Sequence, residues 1–273
     1  MNSSRLEPNT VSRIYNSLYA VGLPLTIFLV IQLFMPSNER LFRLNDESLM
    51  YPHTPIQNMR VSSVYLLFLA FFPPFCVFLS ISLKFSNIYE LFTCSVAFFS
   101  GHLYNLVFTA AIKKFAGRPR PDFLSRCMPA SVPTSNTNIY FDRSICTQNN
   151  SSIISEGFKS FPSGHSSVIF TGGVFTALYL YHKLPSSTPN SILFKYSAML
   201  IPILVSAYVS VSRYVDYWHH WDDITTGILL GSTCSYISFK FLLKDLSSVE
   251  SDSSSYSPVP QNQINELVIS SNC

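Results

Sequence analysis

Charge is what this sequence has least of. Asp, Glu, Lys and Arg make up 12% of the 273 residues, about half the roughly 25% usual in soluble domains. Mean hydropathy is +0.26, and the apolar residues come in long blocks instead of at amphipathic spacing. Both observations exclude a soluble globular domain and imply a polytopic membrane protein. A strong basic excess is missing too. The net charge is +3 and the basic residues gather in one loop, so nucleic acid is not an expected partner. The 6 cysteines include no CxxC pair and no Cys/His spacing of the zinc type, which removes a zinc site and a dithiol redox motif. Cys273 is the last residue and does not fit a prenylation box. No internal repeat is visible.

What is present is a series of apolar runs near the ~20 residues that cross a bilayer core. They cover residues 14–35, 61–83, 89–112, 167–182, 195–211 and 224–239. The expected fold is all-α: a polytopic membrane protein with six transmembrane helices. A short polar N-terminus (1–13) precedes the six-span domain (14–243), and a Ser-rich tail (244–273) is too polar to bury a core and is expected to be disordered. The first run is too long for a signal peptide and lacks a small-residue cleavage site, so it should be retained. Pro73-Pro74 should kink the second span, and Gly172-Gly173 and the Gly227/Gly231 pair should allow close helix contacts. Cys76, Cys94 and Cys234 lie inside apolar runs and should be buried thiols. Cys127 and Cys146 share one polar loop and would pair in an oxidising lumen. Six spans put both termini on one side and the polar clusters on the other.

Three of those clusters sit at span ends. The stretch Ser212 to Asp223 holds two histidines, three aspartates and an arginine between two apolar runs. If a helix opens at Trp218, His219 and Asp223 are i, i+4 neighbours; the carboxylate then takes one ring nitrogen and leaves the other as a nucleophile. Chemistry alone does not choose between His219 and His220, and His-His-x-Asp-Asp also fits a divalent metal. Arg213 supplies a planar fork for phosphoryl oxygens. The second cluster, Lys113 to Pro121, has four cations in eight residues, which otherwise serve as headgroup anchors. The third, Lys159 to His165, puts Pro, Ser and Gly at a helix start, an anion site or an ordinary cap. Cations, backbone amides and two histidines suit a phosphate monoester without a metal or other cofactor, because Asp223 is the one well-placed carboxylate.

Lys113-x6-Arg120-Pro121, Pro162-Ser163-Gly164-His165 and Ser212-Arg213-x5-His219-x3-Asp223 resemble, in order and spacing, the signature of the type 2 phosphatidic acid phosphatase superfamily. Arg120-Pro121-Asp122-Phe123 with Arg126-Cys127, the Lys159-Ser160-Phe161 lead-in, and Asp46-Glu47-Ser48 before Tyr51-Pro52 are similar to fungal lipid phosphate phosphatases. The resemblance covers roughly residues 14–243. It implies an active site built from loops 3–4 and 5–6 and metal-independent hydrolysis of phosphatidate and diacylglycerol pyrophosphate. It also implies His219 as the nucleophile, Asp223 orienting it, and His165 as the proton donor. Lys113, Arg120, Ser163, Gly164 and Arg213 would hold the phosphoryl oxygens. The expected partners are lipid phosphates and membrane lipids.

Orientation is contested by the charges. Seven Lys and Arg lie on the side of the termini and eleven opposite, which by the positive-inside rule puts the site in the cytoplasm. The resemblance implies a lumenal site in an endomembrane (ER, Golgi or vacuole) with cytoplasmic termini. The overlapping sequons at Asn149 and Asn150 agree with that. A phosphatase of another isoprenoid or sphingoid phosphate is the alternative within the family. Outside it, the alternative is a transporter or channel lined by His102 and Asn105, although a hydrogen-bonded core histidine is the plainer reading of His102.

Overall fold

The computed structural model describes residues 8–85, 88–130 and 139–255. Among the described residues the regular elements are helical: α1 (Pro8–Phe34), α2 (Ser63–Lys84), α3 (Ile88–Ala116), α4 (Phe123–Cys127), α5 (Ser151–Gly157), α6 (Gly164–Lys183), α7 (Pro189–Val215) and α8 (Trp221–Ser255). Four are long and apolar enough to cross a membrane: Asn16–Phe34 of α1, then α2, α3 and α7. That is the pattern of an integral membrane protein. The expectations for the first seven and the last eighteen residues lie outside the described residues.

Helix α6 is the axis of the bundle and packs against α2, α3, α7 and α8. Ser166 to Gly173 are all buried. A helix enclosed by protein has no need of lipid-compatible side chains on every face, and it carries Ser, Thr and Gly that let its neighbours approach. A Cβ added at Gly231 of α8 would sit 2.1 Å from the Ser167 carbonyl oxygen, and one at Gly227 would sit 2.6 Å from that of Ser163. The α8 backbone therefore lies directly on the start of α6. Opposite it, a Cβ at Gly172 would sit 2.7 Å from the Ala70 oxygen. Pro74 has no N–H to donate to that carbonyl four residues earlier. The proline pair thus leaves a bare carbonyl where α6 comes closest, and α2 continues through it as one helix.

Several boundaries differ from the hydropathy reading, and α8 continues to Ser255, well past residue 239 where the last apolar run ends. Helix α7 starts at Pro189, well before Lys195, because Thr188 and Ser191 form a capping box with proline at the first helical position. Helix α8 starts at Trp221 and not at Trp218. Cys94 and Cys234 are buried, but Cys76 is exposed. It lies on the outward face of α2, where an apolar group suits lipid, so burial in protein was the wrong expectation for it.

Above the bundle end the polar loops fold into a cap with a core of its own. Phe42, Leu49, Phe123, Cys127, Ile154 and Phe158 pack together. Cys127 is joined to Cys146, and Phe42 pairs by a β-bridge with Phe141.

Candidate active site

The cap covers the end of the bundle where α3 and α7 finish and α6 and α8 begin. Lys113 comes from the last turn of α3, and its Nζ donates to the carbonyls of Lys159 (2.7 Å) and Pro162 (2.8 Å). Ser163 is the N-cap of α6, its Oγ accepting from the Ser166 amide. Its own N–H donates to the Asp223 carbonyl at 2.9 Å. Gly164 is the first residue of α6 and His165 the second. Arg213 ends α7, fully buried, with Nη2 donating to Asp216 Oδ2 at 2.8 Å.

The turn between α7 and α8 carries His219. Tyr217 sits in the left-handed region (φ 59), and the Trp218 N–H returns to the Arg213 carbonyl at 3.0 Å. This tight reversal holds His219 outside the helix. Arg120 then reaches in: Nη1 donates to the Trp218 carbonyl at 3.0 Å and lies 3.4 Å from His219 Nε2. His219 Nδ1 lies 3.7 Å from Asp223 Oδ2, too far for a hydrogen bond. The i, i+4 neighbours of the helical reading are therefore close but unbonded, because the helix starts two residues after His219. His165 lies within the electrostatic field of Arg213, His219, Arg120 and Lys113. His165 Nε2 and His219 Nδ1 are buried without a hydrogen-bond partner among the described residues.

Burial lowers His219 to about 3; the interaction with Asp223 opposes this, and Arg120 and Lys113 reinforce it. The ring is therefore neutral across the physiological range. Burial also lowers Arg120, to about 10, with Arg126 adding to the effect and Asp122, Glu156 and Asp223 opposing it. For Asp223 burial acts upward, yet the nearby His219 ring and the hydrogen bonds from His220 and Ser160 outweigh it and hold the carboxyl well below its usual range.

Several neighbours were not legible as site residues. The Trp218 ring lies between the guanidinium groups of Arg120 and Arg126, each 4.6 Å from its centroid, and its Nε1 donates to the Thr54 carbonyl. Asp122 is buried and pairs with Arg126 (2.8 Å) and His53 (2.6 Å). Arg60, from the first loop, pairs with Asp216 behind Arg213. Arg118 bridges Asp222 and Asp223. His220, Asp222 and Asp223 offer donor atoms within 4.8 Å of one another, but the Arg118 guanidinium already stands between the two carboxylates.

The residues suited to a transport path are packed instead. His102 Nδ1 bonds the Phe98 carbonyl at 2.9 Å, and its ring lies against Phe71 and Phe98. Asn105 is buried and donates to Ser167 Oγ. Asn149 and Asn150 are exposed on the cap, Asn150 also capping α5.

A family model for the PAP2 superfamily matches residues 93–246. The chain is 30% identical over 233 residues to a probable diacylglycerol pyrophosphate phosphatase 1 of Schizosaccharomyces pombe, covering 84% of this chain and 81% of that one. It is 30% identical over 206 residues to diacylglycerol pyrophosphate phosphatase 1 of Saccharomyces cerevisiae, covering 74% and 70%. A probable lipid phosphate phosphatase 4 of Arabidopsis thaliana is 34% identical over 169 residues, 61% of this chain and 54% of the relative. Against the plant relatives the chain spans about half their length. No solved structure matches it.

Proposed function

Because the chain belongs to the PAP2 superfamily, we propose that it hydrolyses lipid phosphates, the monoester phosphatidate and the phosphoanhydride of diacylglycerol pyrophosphate among them. The observation that carries this reading is the charge arrangement at the bundle end. Lys113, Arg120 and Arg213 approach His165 and the buried His219 from three elements, with one buried carboxylate behind the ring of His219. Such a pocket favours a group with several anionic oxygens. The relatives whose names specify lipid phosphates support the substrate class.

In this mechanism His219 Nδ1 carries the proton, since it faces a carboxylate, and Nε2 is the nucleophile. The Nε2 lone pair forms a bond to phosphorus as the bond to the lipid oxygen breaks. His165 gives a proton to that oxygen, and the lipid alcohol leaves. His165 then takes a proton from water, whose oxygen attacks phosphorus; the N–P bond breaks and inorganic phosphate departs. Lys113, Arg120, Arg213 and the start of α6 at Ser163 and Gly164 offset the charge on the equatorial oxygens. The donor set suits metal-free chemistry, because the carboxylates beside His220 are already paired with Arg118.

The reading includes six spans, α6 and α8 joining the four more apolar helices. It also includes a lumenal site, cytoplasmic termini and an endomembrane location. A disulfide and two sequons in the cap support that orientation. The test is phosphate release by purified protein in detergent micelles, with phosphatidate and diacylglycerol pyrophosphate, with and without EDTA. Release should persist in EDTA. Failure on every lipid phosphate would sink the activity; loss on chelation that metal restores would sink the metal-free mechanism.

A further inference from the structure

Asp223 is held far more tightly than its role beside His219 explains. Its Oδ1 accepts from Arg118 Nη1 at 2.8 Å. Its Oδ2 accepts from Ser160 Oγ at 2.5 Å and from the His220 amide at 2.8 Å, with His220 Nδ1 at 3.2 Å. The one group that the chemistry needs there, His219 Nδ1, stands off at 3.7 Å.

Ser160 is where the three clusters meet. It is fully buried. Its N–H donates to the Arg118 carbonyl at 3.0 Å, tying it to the segment after α3. Its hydroxyl holds the carboxylate on α8. The carbonyls of Lys159 and Pro162, on either side of it, accept from Lys113. A buried hydroxyl that donates to a buried carboxylate fixes that carboxylate's rotamer and withdraws electron density from it.

We propose that Ser160 is a positioning residue, acting through Asp223 on His219. Its hydroxyl sets both where the carboxylate points and how strongly it draws on the His219 Nδ1 proton. This rests on the proposed role of His219 as nucleophile. When Nε2 bonds to phosphorus the ring becomes cationic, and the interaction with Asp223 strengthens at that moment. An oxygen fixed by Ser160 is ready for it, whereas an oxygen free to rotate away from His219 is not. The charged and titratable groups facing Asp223 are Lys113 from α3, Arg118 and Arg120 from the segment after it, and His219 and His220 from the turn before α8.

The experiment compares Ser160→Ala, Ser160→Thr, Ser160→Cys and His219→Ala, as full-length protein in micelles with phosphatidate. Ser160→Ala should lower kcat about 10- to 100-fold, as a misplaced group does, with KM little changed. The acid limb of kcat/KM should also move to higher pH. Losing the donor makes Asp223 easier to protonate and lets it pull harder on His219, and both effects act in that direction. Threonine keeps the hydroxyl and should restore the limb; cysteine, a weak donor, should fall between. If the alanine variant does not fold, the order Ser ≈ Thr > Cys in kcat carries the test. Cysteine equal to wild type overturns the proposal, as does a lowered kcat with an unmoved acid limb and no rescue by threonine. An active His219→Ala would instead overturn the underlying mechanism, and an inactive one beside a wild-type-like Ser160→Ala would overturn this inference alone.

Discussion

His219 meets its two neighbours unequally: Arg120 lies 3.4 Å from Nε2 and Asp223 lies 3.7 Å from Nδ1. In the proposed mechanism the attacking nitrogen is the one beside the cation, where a phosphoryl oxygen would also be held. His219→Ala should abolish turnover with every substrate. His165→Ala should abolish it mainly for lipid alkoxides, which need a proton to leave; general acid help is worth about 10²–10⁴-fold. An aryl phosphate should therefore restore formation of the covalent intermediate in His165→Ala, measured as acid-labile phosphate on the protein. Labelling that survives His219→Ala and vanishes in His220→Ala would move the nucleophile by one residue. A second consequence concerns stability. The unfolded chain protonates His219 near 6.5, while the folded site resists protonation down to about 3. Between those values the unfolded state binds more protons, so stability falls as pH drops. Asp223, held low, adds a loss of the same sign below 3.8. Melting in detergent should decline from pH 7 to 4 more steeply for wild type than for His219→Gln; equal slopes would refute this. The motif residues themselves were legible because their spacing is dense in unusual chemistry. Ser160, Trp218 and Asp122 stand inside the motif stretches but their roles were not legible, since each has a partner far along the chain, as with Ser160 and Asp223, 63 residues apart.

At the level of elements, the apolar runs revealed the long helices because lipid demands hydrophobicity on any face it touches. Helices α6 and α8 are the instructive pair. Their Ser, Thr and Gly content lowers their hydropathy, yet that content is what lets α8 rest on α6 and brings Asp223 within 2.9 Å of the Ser163 amide. The small helices α4 and α5 carry no periodic signal long enough to read, being 5 and 7 residues. They exist because the disulfide and the Phe42–Phe123–Phe158 cluster enclose them. Close contact at α6 makes a sharp prediction. Gly231→Val puts a branched side chain where even one carbon meets the Ser167 backbone at 2.1 Å, so the helices must separate. Overpacking of this kind costs about 1–3 kcal/mol, and the separation also carries His219 away from His165. Gly22→Ala on α1 has nothing within 4 Å and should be silent. Size-exclusion profiles and phosphatidate turnover of the two variants would check this; a wild-type Gly231→Val would mean that α8 does not seat on α6.

For the molecule as a whole, the question the sequence left open was which way the site faces, since seven cations stand against eleven. The cap bears on it. Lys113, Arg120 and Arg213 face His165, Arg126 stacks on Trp218, and Arg118 and Arg60 are paired with aspartates. Basic residues engaged in this way are weak evidence for a cytoplasmic side. The cap's disulfide gives the stronger argument, because a lasting Cys127–Cys146 bond belongs to an oxidising compartment. Cys127 is the last residue of α4, directly after Arg126, and Arg126 supports the Trp218 ring beside His219. Breaking the bond should therefore do two things. It should cost about 3 kcal/mol through the freed loop, in the entropy model, and it should lower turnover by loosening Arg126. The matched pair to compare is wild type against Cys127→Ser with Cys146→Ser, by melting temperature and by kcat. In parallel, alkylation of protein trapped directly from cells should modify Cys127 and Cys146 only after reduction, and glycosidase treatment should shift only chains carrying Asn149 or Asn150. Free thiols at both positions in trapped wild-type protein would place the cap in a reducing compartment and turn the proposed orientation over, leaving the chemistry of the site untouched.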